Sequence, residues 1–258
     1  MRAILYATLI LFIPIVLAAC LPQPTSLPPE PTNTPSPTST PTVTVIWFPP
    51  TATNTPFPTP VITPTLDLHP PDTGDLIFSD DFSDPSQWLL GQTASTSIAL
   101  GNNALTLALD QPGGYLYTLR KSPTLADFLL EVTASPSLCR GEDEYGLLLR
   151  VSSAMEFYRF SLSCDGYVRL DRYLKGKASS PVPKTLSGAF PPGAPSSARL
   201  AVSAKGKEFQ FYINDEYQFT VKDPSLIEGS LGFFVRSAGD NALTVSFSDL
   251  VVRKVPLK

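Results

Sequence analysis

The chain has 258 residues, a formal net charge of −4, three cysteines and a single histidine, His69. With 19 basic against 23 acidic residues and no Lys or Arg between Arg2 and Arg120, it lacks the basic face that nucleic-acid binding requires, and that class is excluded. His69 lies in a proline-rich stretch, so the rest of the chain cannot assemble a Ser-His or Cys-His nucleophile.

The chain opens MRAILYATLILFIPIVLAAC. One positive charge precedes an apolar run that is short for a membrane span, which needs roughly 20 residues, and Pro14 interrupts it. This is the pattern of a secretory signal over 1–19. Leu17-Ala18-Ala19-Cys20 resembles the bacterial lipobox. The resemblance implies that Cys20 is lipidated and becomes the first residue of the mature chain, which accounts for the odd cysteine. It implies export, attachment to a bacterial membrane through the lipid, and a place at the cell surface or in the envelope. Each buried methylene of such an anchor contributes about 0.8 kcal/mol.

Residues 20–71 read as a tether. Sixteen of the 28 prolines fall between Leu21 and Pro71, threonine is frequent there, and Glu30 is the one charge between Cys20 and Asp67. Proline fixes φ and removes donors, so the stretch is expected to be a disordered, extended Pro/Thr-rich linker. At about 3.1 Å per residue it reaches on the order of 150 Å. Val43-Thr44-Val45-Ile46-Trp47-Phe48 is an apolar patch within it.

From residue 72 to 258 the text changes. Short runs of Val, Leu, Phe and Tyr alternate with Gly, Pro, Asn, Asp and Ser clusters, and no run has the 3.6-residue period of a helix. Strands are predicted at 76–82, 95–100, 104–109, 115–119, 128–134, 145–151, 157–163, 167–173, 198–204, 208–213, 217–221, 231–236 and 243–252. Phe209, Phe211 and Ile213 share one face, as do Leu243, Val245 and Phe247. Asn214-Asp215 supplies the tolerance of positive φ that a tight hairpin needs. The predicted class is an all-β, antiparallel two-sheet jelly-roll sandwich.

LIFSDDFSDPSQW, YGLLLRV, FYRFSLSCDGYVRL, EFQFYINDEYQFTV, GSLGFFVRSAG and VSFSDLVVRK follow one another in an order that resembles the concanavalin A-like lectin/glucanase superfamily. Within it the chain is similar to laminarinase-type and keto-disaccharide hydrolase-like domains. The resemblance implies the jelly roll and a sheet face that hosts glycans, often on bacterial surfaces.

Retaining glycosidases of the laminarinase type carry Glu-x-Asp-x-Glu on one strand, which puts three acids on one face. This chain has Glu142-Asp143-Glu144 after Arg140-Gly141. The contiguous acids are expected to form the solvated lip of a loop. Cys139 and Cys164 flank the strands on either side, and in an exported protein they are expected to pair. In an up-down-up meander one strand would separate them.

Four successive strands present polar residues opposite their apolar ones: Glu131, then Arg150, then Arg159, then Arg169 and Asp171, with Tyr167 and Tyr173 at the flanks. Opposed arginines need carboxylates nearby, so an alternating charge ladder is expected on one sheet face. It is either a solvated ion-pair ladder or a platform for polysaccharide or cell-wall glycan. Trp88 reads as a core anchor. Asp80, Asp81 and Asp249 are weak candidates for a structural calcium, which needs six to eight oxygens; no other cofactor is suggested. The preferred reading is a lipid-anchored surface protein whose sandwich binds glycan without chemistry. Paired acids in a groove would favour a glycoside hydrolase or keto-disaccharide hydrolase-like enzyme, and a flat face without aromatics would favour an adhesion module with a protein partner.

Overall fold

The computed structural model describes residues 74–255. The signal, Cys20, the tether with Trp47 and Phe48, and His69 lie outside the described residues. The strands in chain order are β1 (Leu76–Asp80), β2 (Gly91–Gln92), β3 (Thr96–Gly101), β4 (Ala104–Leu109) and β5 (Tyr115–Leu119). They continue as β6 (Phe128–Leu138), β7 (Glu144–Ser153), β8 (Glu156–Ser163), β9 (Tyr167–Leu174) and β10 (Lys177–Leu186). The last five are β11 (Ala198–Lys205), β12 (Glu208–Ile213), β13 (Glu216–Lys222), β14 (Ser230–Arg236) and β15 (Leu243–Arg253).

All pairings are antiparallel and form two sheets. The nine-stranded sheet runs β13-β12-β11-β6-β15-β4-β3-β2, with β1 added on β15. The six-stranded sheet runs β10-β9-β8-β7-β14-β5. Every strand pairs within the described segment, so this segment carries its own core and folds as a unit.

The core follows from alternation. Leu105, Leu107 and Leu109 of β4, Phe209, Phe211 and Ile213 of β12, and Leu243, Val245 and Phe247 of β15 point inward from the larger sheet. Tyr145, Leu147 and Leu149 of β7, Tyr158, Phe160 and Leu162 of β8, and Phe233 and Val235 of β14 meet them from the smaller one. Phe233 stacks on Phe247 at 4.3 Å between ring centroids, and Phe160 packs on Phe211 at 4.7 Å. Trp88 is 1% exposed, stacks on Phe233 at 5.1 Å, and donates its Nε1 hydrogen to Asp80 at 3.1 Å.

Two predicted features differ. β10 was not expected, because Pro181 and Pro183 interrupt it; it forms the sheet edge, where a missing donor costs no ladder bond. The up-down-up meander also fails at its first step. β6 belongs to the larger sheet and β7 to the smaller, so the connection crosses the sandwich. The expected disulfide is present between Cys139 and Cys164, with Cα atoms 5.7 Å apart. It therefore joins the end of β6 in one sheet to the end of β8 in the other.

Candidate functional site

The outer face of the six-stranded sheet carries four of the polar and aromatic residues predicted from the sequence, joined by others from strands distant in sequence. Cross-strand register arranges them in rows. Tyr115 of β5 lies opposite Arg236 of β14, which lies opposite Glu144 of β7, which lies opposite Ser163 of β8. The next row is Tyr117, Phe234, Gly146, Ser161 and Arg169; the third is Leu119, Gly232, Leu148, Arg159 and Asp171. Phe157 and Tyr173 pair beyond these.

An ion-pair ladder crosses this face. Arg236 reaches Glu144 at 3.3 Å, and Arg169 reaches Glu144 at 3.0 Å on its other side. Arg169 Nε also lies 3.0 Å from Asp171 Oδ2, which accepts from Arg159 Nη2 at 2.7 Å. Ser180 of the edge strand donates to the remaining Asp171 oxygen at 2.6 Å. The series Arg236, Glu144, Arg169, Asp171, Arg159 thus alternates in sign, which is what like charges on neighbouring strands require. It is mostly buried: Glu144 is 6% and Asp171 4% exposed, whereas the Arg236 side chain is 42% exposed. Three guanidinium groups face two carboxylates, leaving one positive charge in excess.

Aromatic rings stand on both sides of Arg159. Tyr115 stacks on Phe234 at 5.7 Å, and Phe157 stacks on Tyr173 at 4.5 Å. The Arg159 guanidinium lies 5.3 Å from the Tyr173 ring, 5.4 Å from Phe234 and 6.0 Å from Tyr115, within the range of cation–π attraction. Burial pushes the Tyr115 phenol well above its usual value, with the Arg159 charge opposing. Tyr115 therefore stays a neutral donor throughout the physiological range.

Between the walls lies Arg159 itself, 7% exposed. Gly146 and Gly232 bring no side chain to their rows, and a Cβ on either would collide with a neighbouring backbone oxygen, 2.1 Å from Phe160 O and 2.2 Å from Thr118 O respectively. Ser161, the next residue in the Gly146 row, has a buried Oγ without a hydrogen-bond partner, and Arg159 Nε is likewise buried and unpartnered. Buried polar atoms are ordinarily satisfied, and these two are exceptions enclosed beneath the face.

Not every predicted residue reaches this face. Arg159, Arg169, Asp171 and Tyr173 do. Glu131 does not: it lies on β6 in the opposite sheet and pairs with Arg199 at 2.9 Å, because β6 and β7 belong to different layers. Arg150 does not either. It has φ +48° at a register shift between β7 and β8, and this bulge reverses the alternation, turning Arg150 inward and Val151 outward. Its guanidinium donates to the carbonyls of Ala126 at 2.7 Å, Gly206 at 2.8 Å and Leu226 at 2.9 Å, over the Phe209 ring at 4.5 Å. Tyr167 lies at the end of β9 beneath Lys184, 4.6 Å from its ring.

The acidic run is only partly the solvated lip expected. Glu142 is exposed and meets Lys184 at 2.8 Å. Asp143 is 1% exposed and accepts from the amides of Arg140 and Ala238 at 3.1 and 2.8 Å, so it pins the loop. Glu144 begins β7 and joins the ladder. Sequence reading also missed Tyr115, Ser161, Phe234 and Arg236; the spacing of Tyr115 and Tyr117, and of Phe234 and Arg236, is the strand alternation that carries them to one face.

The candidate calcium ligands do not fit a cation. Asp80 is buried against Arg120 at 3.1 Å and also accepts from Trp88 and the Phe82 amide. Asp81 accepts from Ser83, and Asp249 from Ser248. Among the described residues no group of three or more His, Cys, Asp or Glu is arranged to hold a metal.

Two packed antiparallel sheets with this strand order form a jelly-roll sandwich. Among solved structures the chain is similar to carbohydrate-binding module CBM66 from Bacillus subtilis, at 17% identity over 65% of this chain and 96% of that one, with a TM-score of 0.52. It is similar also to the β-glucanase of Bacillus licheniformis, at 12% identity over 71% of this chain and 100% of that one, TM-score 0.51. A third is the catalytic domain of an endo-1,3-beta-glucanase (laminarinase) from Thermotoga petrophila, at 10% identity over 72% and 100%, TM-score 0.53. At these identities the likeness is one of fold. No family model and no curated protein matches the sequence.

Proposed function

We propose that the chain is an exported, lipid-anchored glycan-binding protein whose ligand sits on the outer face of the six-stranded sheet and is not chemically altered there. The observation that carries this reading is the outer sheet face on which the Tyr115–Phe234 and Phe157–Tyr173 stacks flank the charge ladder ending at Arg159. Tyrosine rings stack on the apolar face of a sugar, and planar guanidinium and carboxylate groups match vicinal hydroxyls. The fold shared with a module named for carbohydrate binding supports it.

A glycosidase needs two carboxyl groups placed across a scissile bond, one acting as acid and the other as base or nucleophile. Here Glu144 is held between Arg169 and Arg236, and Asp171 between Arg159, Arg169 and Ser180. Both acids are committed to arginines, and that favours binding over hydrolysis.

The test is depletion of the soluble 72–258 fragment from solution by insoluble polysaccharides and purified cell wall. Selective depletion is expected, with loss of about tenfold or more in affinity for Arg159→Ala and Tyr173→Ala, since such central anchors dominate binding energy. Equal depletion of wild type and both variants would remove the site from this face. Release of soluble sugar during the incubation would restore the enzyme reading. The anchor is tested by palmitate labelling of the full chain, which Cys20→Ser should abolish.

A further inference from the structure

The candidate face does not end at Arg159. On the same outer face, toward the turn between β7 and β8, lies a cleft of about 260 Å³. Its lining includes Tyr117, Leu119, Leu148, Val151, Ala154 and Phe157. Leu148, Val151 and Phe234 form an apolar cluster separate from the main core, with Leu119 and Phe157 packed against it. The lining contains no Asp, Glu, Lys, Arg or His; its side-chain polar groups are the phenols and the hydroxyls of Ser152, Ser153 and Ser230. The cleft adjoins the charge ladder. Tyr115 lines the cleft and faces Arg159, and Phe157 lines it while stacking on Tyr173.

We infer that the ligand of this face is a glycoside carrying an uncharged apolar substituent, with the sugar on the tyrosine-flanked ladder and the substituent in the cleft. This rests on the glycan-binding reading and narrows it. Charge argues for the occupant: burying a charged group against Leu148, Val151 and Phe157 without a partner is costly. Size argues for it as well, because at about 30 Å³ per water-sized group the cleft has room for roughly nine of them, enough for an aryl ring or a short acyl chain. A second sugar fits less well. Its several hydroxyls would face Leu119, Leu148, Val151 and Phe157, leaving buried donors and acceptors unpaired.

The test compares methyl and phenyl α- and β-hexopyranosides binding to the 72–258 fragment, read by calorimetry and by methyl NMR shifts of Leu119, Leu148, Val151 and Ala154. The phenyl member of at least one pair is expected to bind about tenfold tighter than its methyl partner, with shifts confined to it at the cleft methyls, as burial of an aromatic ring requires. Ala154 is exposed in the turn, so Ala154→Glu places a charge at the cleft without disturbing the core. That variant is expected to lose the phenyl advantage and keep methyl glycoside and polysaccharide binding. No phenyl advantage for any sugar would overturn the inference, as would an advantage that survives Ala154→Glu. An equal gain from a methyl disaccharide, shifting the same methyls, would overturn it too by making the cleft a second sugar subsite. Polysaccharide depletion by the same preparation separates the two failures: if it persists, only the apolar substituent is wrong, and if it is absent, the glycan reading itself falls.

Discussion

Replacing Arg150 by Met tests the bulge that decides which side of the sheet this residue serves. Methionine keeps most of the buried stem, so the change removes chiefly the guanidinium. Three carbonyls then lose a charged donor, at 2.7, 2.8 and 2.9 Å, and the one on Leu226 is buried. An orphaned buried acceptor costs about 1–3 kcal/mol, and the two partly buried carbonyls cost less because water reaches them. Against this stands relief from burying a charge, which holds the Arg150 pKa below the usual arginine value. The balance is a loss of about 3 kcal/mol. For a domain of this size that corresponds to a fall in Tm of roughly 6–12 °C. The assay is thermal and urea unfolding of the 72–258 fragment at neutral pH, with polysaccharide depletion run in parallel. Stability should fall and the affinity of the folded fraction should be unchanged. A variant that melts with wild type yet binds weakly would refute the reasoning, because it would put Arg150 on the outer face, as uninterrupted alternation demands.

Removing the disulfide with Cys139→Ala and Cys164→Ala together should cost about 3.5 kcal/mol in the chain-entropy model for a sequence separation of 25; denaturant midpoints with and without reductant check it, and insensitivity of the wild type to reductant would count against it. Ser161→Ala should raise stability by about 1 kcal/mol, since the buried hydroxyl has no partner, and leave polysaccharide binding unchanged; a stability loss would mean that the hydroxyl is satisfied. Asp223 gives a pH signature. Burial opposes its charged form, but hydrogen bonds from Ser225 and Arg172 outweigh burial and hold its pKa below 3.8. A depressed folded-state pKa contributes stability that is present above the unfolded value and lost as pH falls through the folded one. The stability gap between wild type and Asp223→Asn should therefore be level above about pH 5 and close on acidification below the ordinary carboxylate range; a gap that widens with acid would contradict the assignment.

Much of the architecture was legible in the chain. Period-two alternation in Phe209, Phe211 and Ile213, and in Leu243, Val245 and Phe247, specified strands and their buried faces, because successive side chains point to opposite sides of a pleated strand. The pairing of Arg159 with Asp171 followed from a short hairpin loop, which fixes register locally. β10 escaped because an edge strand exposed on both faces has no alternation to read, and its prolines argue against it.

The sequence by itself determined the class of fold, the paired cysteines and four residues of the candidate face, since each depends on local spacing or on exclusion by composition. Only the tertiary structure decided that β6 leaves the sheet, sending Glu131 to the far side of the sandwich, and that a single bulge turns Arg150 into the interior. It alone brought β14 and β5 beside β7, completing the ladder with Arg236 and raising the Tyr115–Phe234 wall. Strands distant in sequence are joined by packing of two apolar faces, and that packing depends on the whole core at once, so no single stretch of the chain encodes it.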